Sequence, residues 1–90
     1  MVKRDLAKLF NALGDPTRFR MVQLIRKQPS ICVSELASEV GITPAGASQH
    51  LTVLEDVGLL KPYRDGKKVC YEIEDDAENK ALLKLMKEGK

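Results

Sequence analysis

Cys32, Cys70 and His50 are the side chains of this sequence best suited to covalent or metal chemistry, and their spacing withholds most of it. The cysteines stand 38 positions apart, form no CxxC pair for zinc and make no disulfide framework. The single histidine has no second imidazole with which to share a metal or relay a proton. No glycine-rich phosphate loop is present. Acid–base and nucleophilic catalysis need a reactive group oriented by a second one, and no such constellation can be assembled. The chain reads as a binding protein and not an enzyme.

A different chemistry is carried by "GITPAGASQHLTVLEDVGLL", Gly41 to Leu60. Thr43 is a helix N-cap, Pro44 fits the first turn, and Gly58 supplies a left-handed stop. Ala47, Leu51 and Leu54 fill one face at helical spacing. The opposite face carries Ala45, Gln49, Thr52 and Asp56, without a lysine or arginine. Solvated helix faces usually carry Lys and Glu. A face of short donors and acceptors suits hydrogen bonding at close range, as at the edges of DNA bases.

Charge along the chain supports that division of labour. Residues 1–30 carry a net +5, residues 31–60 carry −4, residues 61–74 carry +1, and residues 75–90 balance at zero. Cations that neutralise phosphate therefore come from outside the central segment, which is left free to read bases.

The remaining elements must hold that helix in place. Leu6, Leu9, Phe10 and Leu13 lie on one side of a helix over about residues 3–13. Gly14 ends it; Asp15 caps a second helix with Pro16 in its first position, running to about Lys27. That helix buries Phe19, Val22 and Ile25, with Met21 and Leu24, and leaves Arg18, Arg20, Arg26 and Lys27 for solvent or phosphate. "ICV", residues 31–33, is a strand fragment. A third helix follows, with Ser34 as its cap, Val33 as a staple before it, and Leu36, Ala37 and Val40 inward. Only Gly41, Ile42 and Thr43 separate it from the fourth helix, which is the spacing of a helix-turn-helix. In that motif the second helix enters the major groove, so Thr43, Ala45, Ser48, Gln49 and Thr52 are the expected base contacts.

After Gly58 the period becomes two. Val69, Tyr71 and Ile73 alternate with Lys68, Cys70 and Glu72, and Asp65-Gly66 signals a two-residue hairpin. Pro62 confines its strand to an edge. Arg64, Lys67 and Lys68 surround the turn, and a basic hairpin directly after a reading helix is a wing that grips the DNA backbone. With Arg18 they form the expected phosphate contacts. A last helix, about residues 76–88, shows Ala81, Leu82, Leu85 and Met86 on one side.

The composition bounds the whole. Ninety residues, 43% hydrophobic with two Tyr, two Phe and no Trp, make one small domain with an aliphatic core. The expected fold is mainly α with a small β hairpin: two helices, a short strand, two helices, two strands and a final helix. Leu6, Leu9, Phe10, Leu82, Leu85 and Met86 are more apolar helical surface than so small a domain covers, and a second copy is the common solution. No run of about 18 apolar residues exists and no secretion signal begins the chain, so a soluble cytoplasmic protein is expected.

"LFNALGDPTRFRMVQLI", "VSELASEVGITPAGASQHLTVLEDVGLL" and "RDGKKVCYEI" resemble the successive signatures of the ArsR/SmtB-type winged-helix repressors, over roughly residues 6–74. The resemblance implies a homodimer joined through its first and last helices, binding a palindromic operator in double-stranded DNA. It places base contacts at Thr43, Ser48 and Gln49. Pro44 and Ala45 fall where relatives often carry polar residues, so fewer contacts are expected. The inducer sites depart from the pattern. Arsenic-type relatives carry Cys-Val-Cys at the start of the third helix, whereas this chain reads Cys32-Val33-Ser34, and a hydroxyl does not replace a soft thiolate. Zinc-type relatives use His and carboxylates on the last helix; residues 75–90 contain Asp75, Asp76, Glu78 and Glu88 but no His. No cofactor or metal is expected, His50 is given a helix-boundary or DNA-facing role, and the inducer is left unidentified.

In winged helices a short strand before the third helix commonly pairs with the second wing strand. That arrangement brings Cys32 and Cys70 together on the outer face. Two unpaired thiols, a structural disulfide and a redox switch all remain open; such bonds are rare in most cytosols and common in hyperthermophiles. A winged helix that contacts protein or RNA without an operator is the alternative function.

Overall fold

The computed structural model describes residues 5–89, so residues 3 and 4, expected in the first helix, and Lys90 lie outside the described residues. The elements are α1 (Leu6–Leu13), α2 (Pro16–Lys27), α3 (Val33–Val40), α4 (Pro44–Asp56), β1 (Leu60–Asp65), β2 (Lys68–Ile73) and α5 (Ala77–Gly89). None of the described helices is long and apolar enough to cross a membrane.

Local chemistry sets the helix starts. The Asp15 carboxylate accepts the Arg18 backbone N–H at 2.9 Å, with Pro16 in the first turn where no N–H is needed. That hydrogen bond, reinforced by the Arg18 charge, holds the Asp15 carboxyl below the usual carboxylate range. Thr43 caps α4 by accepting the Gly46 N–H at 3.0 Å. The cap of α3 is Cys32 and not Ser34. Glu35 reaches back to accept the Cys32 N–H at 3.0 Å, so the helix begins one residue earlier than Ser34 and Val33 is its first residue, not a staple before it. Gly41, at φ 76°, and Gly58, at φ 82°, take the left-handed backbone that turns the chain at either end of α4.

One aliphatic core joins every helix. Ala47, Leu51 and Leu54 of α4 are completely buried, beneath Leu9 of α1, Met21, Val22 and Ile25 of α2, and Leu36 of α3. Leu82 and Met86 of α5 close the other side. Leu9, Leu82 and Met86 were expected to face a partner, but they belong to this core, at 1%, 8% and 4% exposure. Leu82 and Met86, four apart, form the inner column of α5. Ala81 and Leu85 form the next column, and both are exposed.

The hairpin is antiparallel, from Leu60 opposite Ile73 to Asp65 opposite Lys68, which makes the two-residue loop Gly66-Lys67. It lies one position beyond the expected Asp65-Gly66. Cys32 forms an isolated bridge to Cys70, so β2 runs between β1 and the residue that caps α3. The expected alternation also changes. Cys70 is fully buried and Val69 is 41% exposed, while Tyr71 and Ile73 pack half-buried against the core. Near its middle β2 is covered on both faces.

Asn79 is the one buried polar residue among those described, and its amide ties three segments together. Nδ2 donates to the Glu74 carbonyl at 2.8 Å and to the Gly58 carbonyl at 3.2 Å, while the Glu74 N–H donates to the Leu59 carbonyl at 2.8 Å. The exit of α4, the end of β2 and the start of α5 meet on this side chain. Replacing Asn79 by Leu leaves two carbonyls in the interior without this donor and is expected to destabilise the fold by about 2–4 kcal/mol. Urea unfolding measures the loss; a variant within about 0.5 kcal/mol of the parent would remove this role.

Candidate nucleic-acid interface

Thirteen residues of α4 span about 20 Å, enough to lie across a major groove about 12 Å wide. Because Ala47, Leu51 and Leu54 face the core, Thr43, Ala45, Ser48, Gln49, Thr52 and Asp56 all stand in solvent. Thr43 Oγ1 is engaged by the Gly46 N–H, which leaves the hydroxyl proton to donate outward. The Thr52 hydroxyl donates to the Ser48 carbonyl at 3.0 Å, which leaves its oxygen as an acceptor. The Gln49 amide has no partner among the described residues and keeps both a donor and an acceptor, the pair that reads adenine. Val53, which the sequence reading passed over, adds an apolar spot at 37% exposure. Its isolation among polar neighbours gives no signal in the sequence.

The wing stands beside this face. Arg64, Lys67 and Lys68 are exposed around the turn and make no ion pair among the described residues. Lys61 differs: its ammonium lies 3.4 Å from Glu74 and 4.0 Å from Glu72. On β2, burial and then the Glu55 carboxylate push the Tyr71 phenol above its ordinary range, with the Thr52 hydroxyl acting in the opposite sense. The Tyr63 hydroxyl donates to the Pro29 carbonyl at 3.1 Å and ties the other wing strand to the loop before α3.

Two of the arginines expected to meet solvent or phosphate are instead turned inward. Arg18 Nε donates to the Ala12 carbonyl at 2.7 Å, and its Nη1 lies 3.2 Å from His50 Nδ1. It joins the end of α1 to the side of α4 while remaining half-buried. Arg26 Nη1 donates to the Leu83 carbonyl at 2.9 Å and fastens α5 to α2. Arg20 and Lys27 remain exposed.

Cys32 and Cys70 are joined by a disulfide, with their Cα atoms 4.5 Å apart. That separation suits two residues directly opposite in a non-hydrogen-bonded antiparallel pair. The pair is not on an outer face: Cys70 is 0% and Cys32 6% exposed. As a disulfide the two sulfurs are not thiolates, the form that binds soft metals. No three His, Cys, Asp or Glu side chains among the described residues come together as a metal site.

A second surface is apolar. Phe10, Leu13, Phe19, Leu82, Leu85 and Met86 line an open groove of about 320 Å³ between α1, α2 and α5. Phe10 and Leu85 of this lining are 55% and 66% exposed, and Leu6, one turn before Phe10 on α1, is 45% exposed. Of the six residues expected at a dimer interface, these three are exposed, Leu82 and Met86 line the groove beneath them, and Leu9 is buried in the core.

Residues 13–63 match the family model of a helix-turn-helix domain. The chain is 35% identical over 72 residues to a cadmium resistance transcriptional regulatory protein, a CadC homologue of Staphylococcus aureus, covering 80% of this chain and 60% of that protein. It is 34% identical over 82 residues to an HTH-type transcriptional regulator of Methanocaldococcus jannaschii, covering 91% of each. Its fold matches a winged helix-turn-helix DNA-binding domain from Mycobacterium bovis, described as homodimeric, with a TM-score of 0.80 at 22% identity, over 97% of this chain and 87% of that one. Fold and matches together define a winged-helix regulator. The chain belongs to the ArsR/SmtB-type transcriptional regulators.

The disulfide closes a loop across a separation of 38 residues, for which chain entropy gives roughly 4 kcal/mol of stabilisation. Urea unfolding with and without dithiothreitol is expected to show a loss of that order on reduction. A difference below about 1 kcal/mol would mean that the pairing of β2 with Cys32 holds without the covalent bond.

Proposed function

We propose that the protein is a homodimeric repressor that binds a palindromic operator in double-stranded DNA, inserting α4 into the major groove and laying the wing along the backbone. The observation that carries this reading is the exposure of Thr43, Ala45, Ser48, Gln49 and Thr52 on the second helix of a helix-turn-helix, beside the exposed cations Arg64, Lys67 and Lys68, which make no ion pair among the described residues. Phosphate contacts supply affinity and base contacts supply preference. The test is fluorescence anisotropy with duplex from the protein's own upstream region against scrambled duplex. Preference for the first supports the reading. Equal binding to both, or tighter binding to RNA, would replace it with a general nucleic-acid module.

The same experiment separates the two surfaces. Gln49→Ala is expected to reduce preference for operator by about 1–3 kcal/mol, the worth of a bidentate base contact. Lys67→Ala is expected to weaken operator and scrambled duplex alike and to lessen the salt dependence by about one phosphate contact. An unchanged preference in Gln49→Ala would mean that another face of α4 meets the bases.

The homodimer rests on the exposed trio of Leu6, Phe10 and Leu85 beside the apolar groove, a patch that two copies can cover isologously. Leu85→Glu is expected to give a monomer by sedimentation at micromolar concentration. Operator affinity should fall with it, because the second half-site loses its tethered reader. A parent protein that sediments as a monomer would overturn the dimer.

The Cys32–Cys70 bond fits a staple better than a sensor. Thiol–disulfide exchange needs a reductant to reach a sulfur, and both cysteines are buried. Operator affinity that stays constant between oxidised protein and the Cys32→Ser variant would support the staple, and a large shift would restore the switch.

A further inference from the structure

The contact between Arg18 and His50 fixes more than the position of a ring. A guanidinium carries donors and no acceptor, and it keeps its charge. With Arg18 Nη1 3.2 Å from His50 Nδ1, the Nδ1 atom must accept, which places the proton of the neutral imidazole on Nε2. Nε2 has no partner among the described residues. Among the described residues no unpartnered side-chain nitrogen of a half-buried residue is sealed from solvent, so solvent reaches the Nε2–H. Side chains on a helix lean toward its N-terminus, and the residue one turn back from His50 is Gly46, which adds no side chain of its own there and is bordered by Thr43 Oγ1 and Ile42 Cδ1. This flank of α4 leads to the end that enters the groove, where phosphates line the rim and α4 itself offers no lysine or arginine.

On the DNA-binding reading above, we propose that His50 is a further DNA contact. Its Nε2–H donates to a backbone phosphate, and Arg18 is the positioning residue that holds the ring in the required tautomer. The contact orients α4 without choosing a sequence.

The test uses two variants that divide the imidazole. His50→Asn keeps an acceptor near Nδ1 and lacks the outer donor, whereas His50→Gln carries an amide N–H near Nε2. His50→Asn is expected to lose about tenfold in affinity for operator and scrambled duplex alike, as for one hydrogen bond to a charged acceptor. His50→Gln is expected to remain within about threefold of the parent. Because the donor is uncharged, the salt dependence should stay unchanged, unlike that of Lys67→Ala. Imidazole ¹⁵N shifts of the free protein, at a pH where the ring is neutral, should show the Nε2–H tautomer, and Arg18→Lys should erode that preference and the affinity together. His50→Asn binding as tightly as the parent, or an Nδ1–H tautomer in the parent, would overturn the proposal. A parent protein that binds no duplex would overturn the DNA-binding reading with it.

Discussion

The rotational setting of α4 is the constraint on which the rest of the structure depends. Ala47, Leu51 and Leu54 are each 0% exposed, so the helix has a single orientation in which all three are out of water. Turning it by one residue, about 100°, would bury the Gln49 or Ser48 side of the helix against aliphatic side chains and expose a leucine. Burying a leucine is worth about 1.5–3 kcal/mol, and an unpaired buried amide costs about 1–3 kcal/mol, so the two penalties act in the same direction. The chemistry of the outer face is thus fixed by the chemistry of the inner one. The other helices are arranged to supply that inner environment, and the caps at Thr43 and Gly58 fix where it begins and ends.

The wing is fixed by a different means. A two-stranded hairpin is marginal alone, and this one gains its support from neighbours. Cys32 adds a third pairing and a covalent bond, Tyr63 holds the loop at Pro29, and Asn79 gathers the end of β2 to the exit of α4. The same residue that caps α3 is bonded to the wing, so the first helix of the helix-turn-helix and the hairpin share one anchor. Arg64, Lys67 and Lys68 need no such order: as exposed cations at a loop tip they can adapt to the phosphates of the proposed complex.

Much of this was legible because its causes are local. Thr43-Pro44, Asp15-Pro16 and the glycines at 41 and 58 announce helix ends through backbone chemistry that needs no tertiary context. The three-residue turn and the polar face of α4 could be read for the same reason. Other features escaped because they depend on what lies across a gap. Alternation shows which residues of β2 share a face, but it cannot show that Cys32 would cover the face holding Cys70. Arg18 and Arg26 looked available because their main partners are carbonyls, which every residue carries and no sequence pattern marks. Leu9, Leu82 and Met86 were assigned to a partner because periodicity gives the apolar side of a terminal helix and not how far the parent chain reaches around it.

The segment from residue 31 to 60 is acidic overall, yet Glu35 is engaged at the α3 cap, and Asp56 stands on the outer face of α4 at its far end, two turns from Gln49. In the proposed complex that face meets bases, where a cation would gain affinity for any sequence and weaken discrimination. Exposed cations stand instead at the wing and, as Arg20 and Lys27, on α2. Arg18 completes the arrangement from within. By holding both the Ala12 carbonyl and the His50 ring, it links α1, which borders the apolar groove, to one flank of α4. The shared core joins the same two helices, so in the proposed dimer the pairing of copies and the placement of α4 have a physical connection.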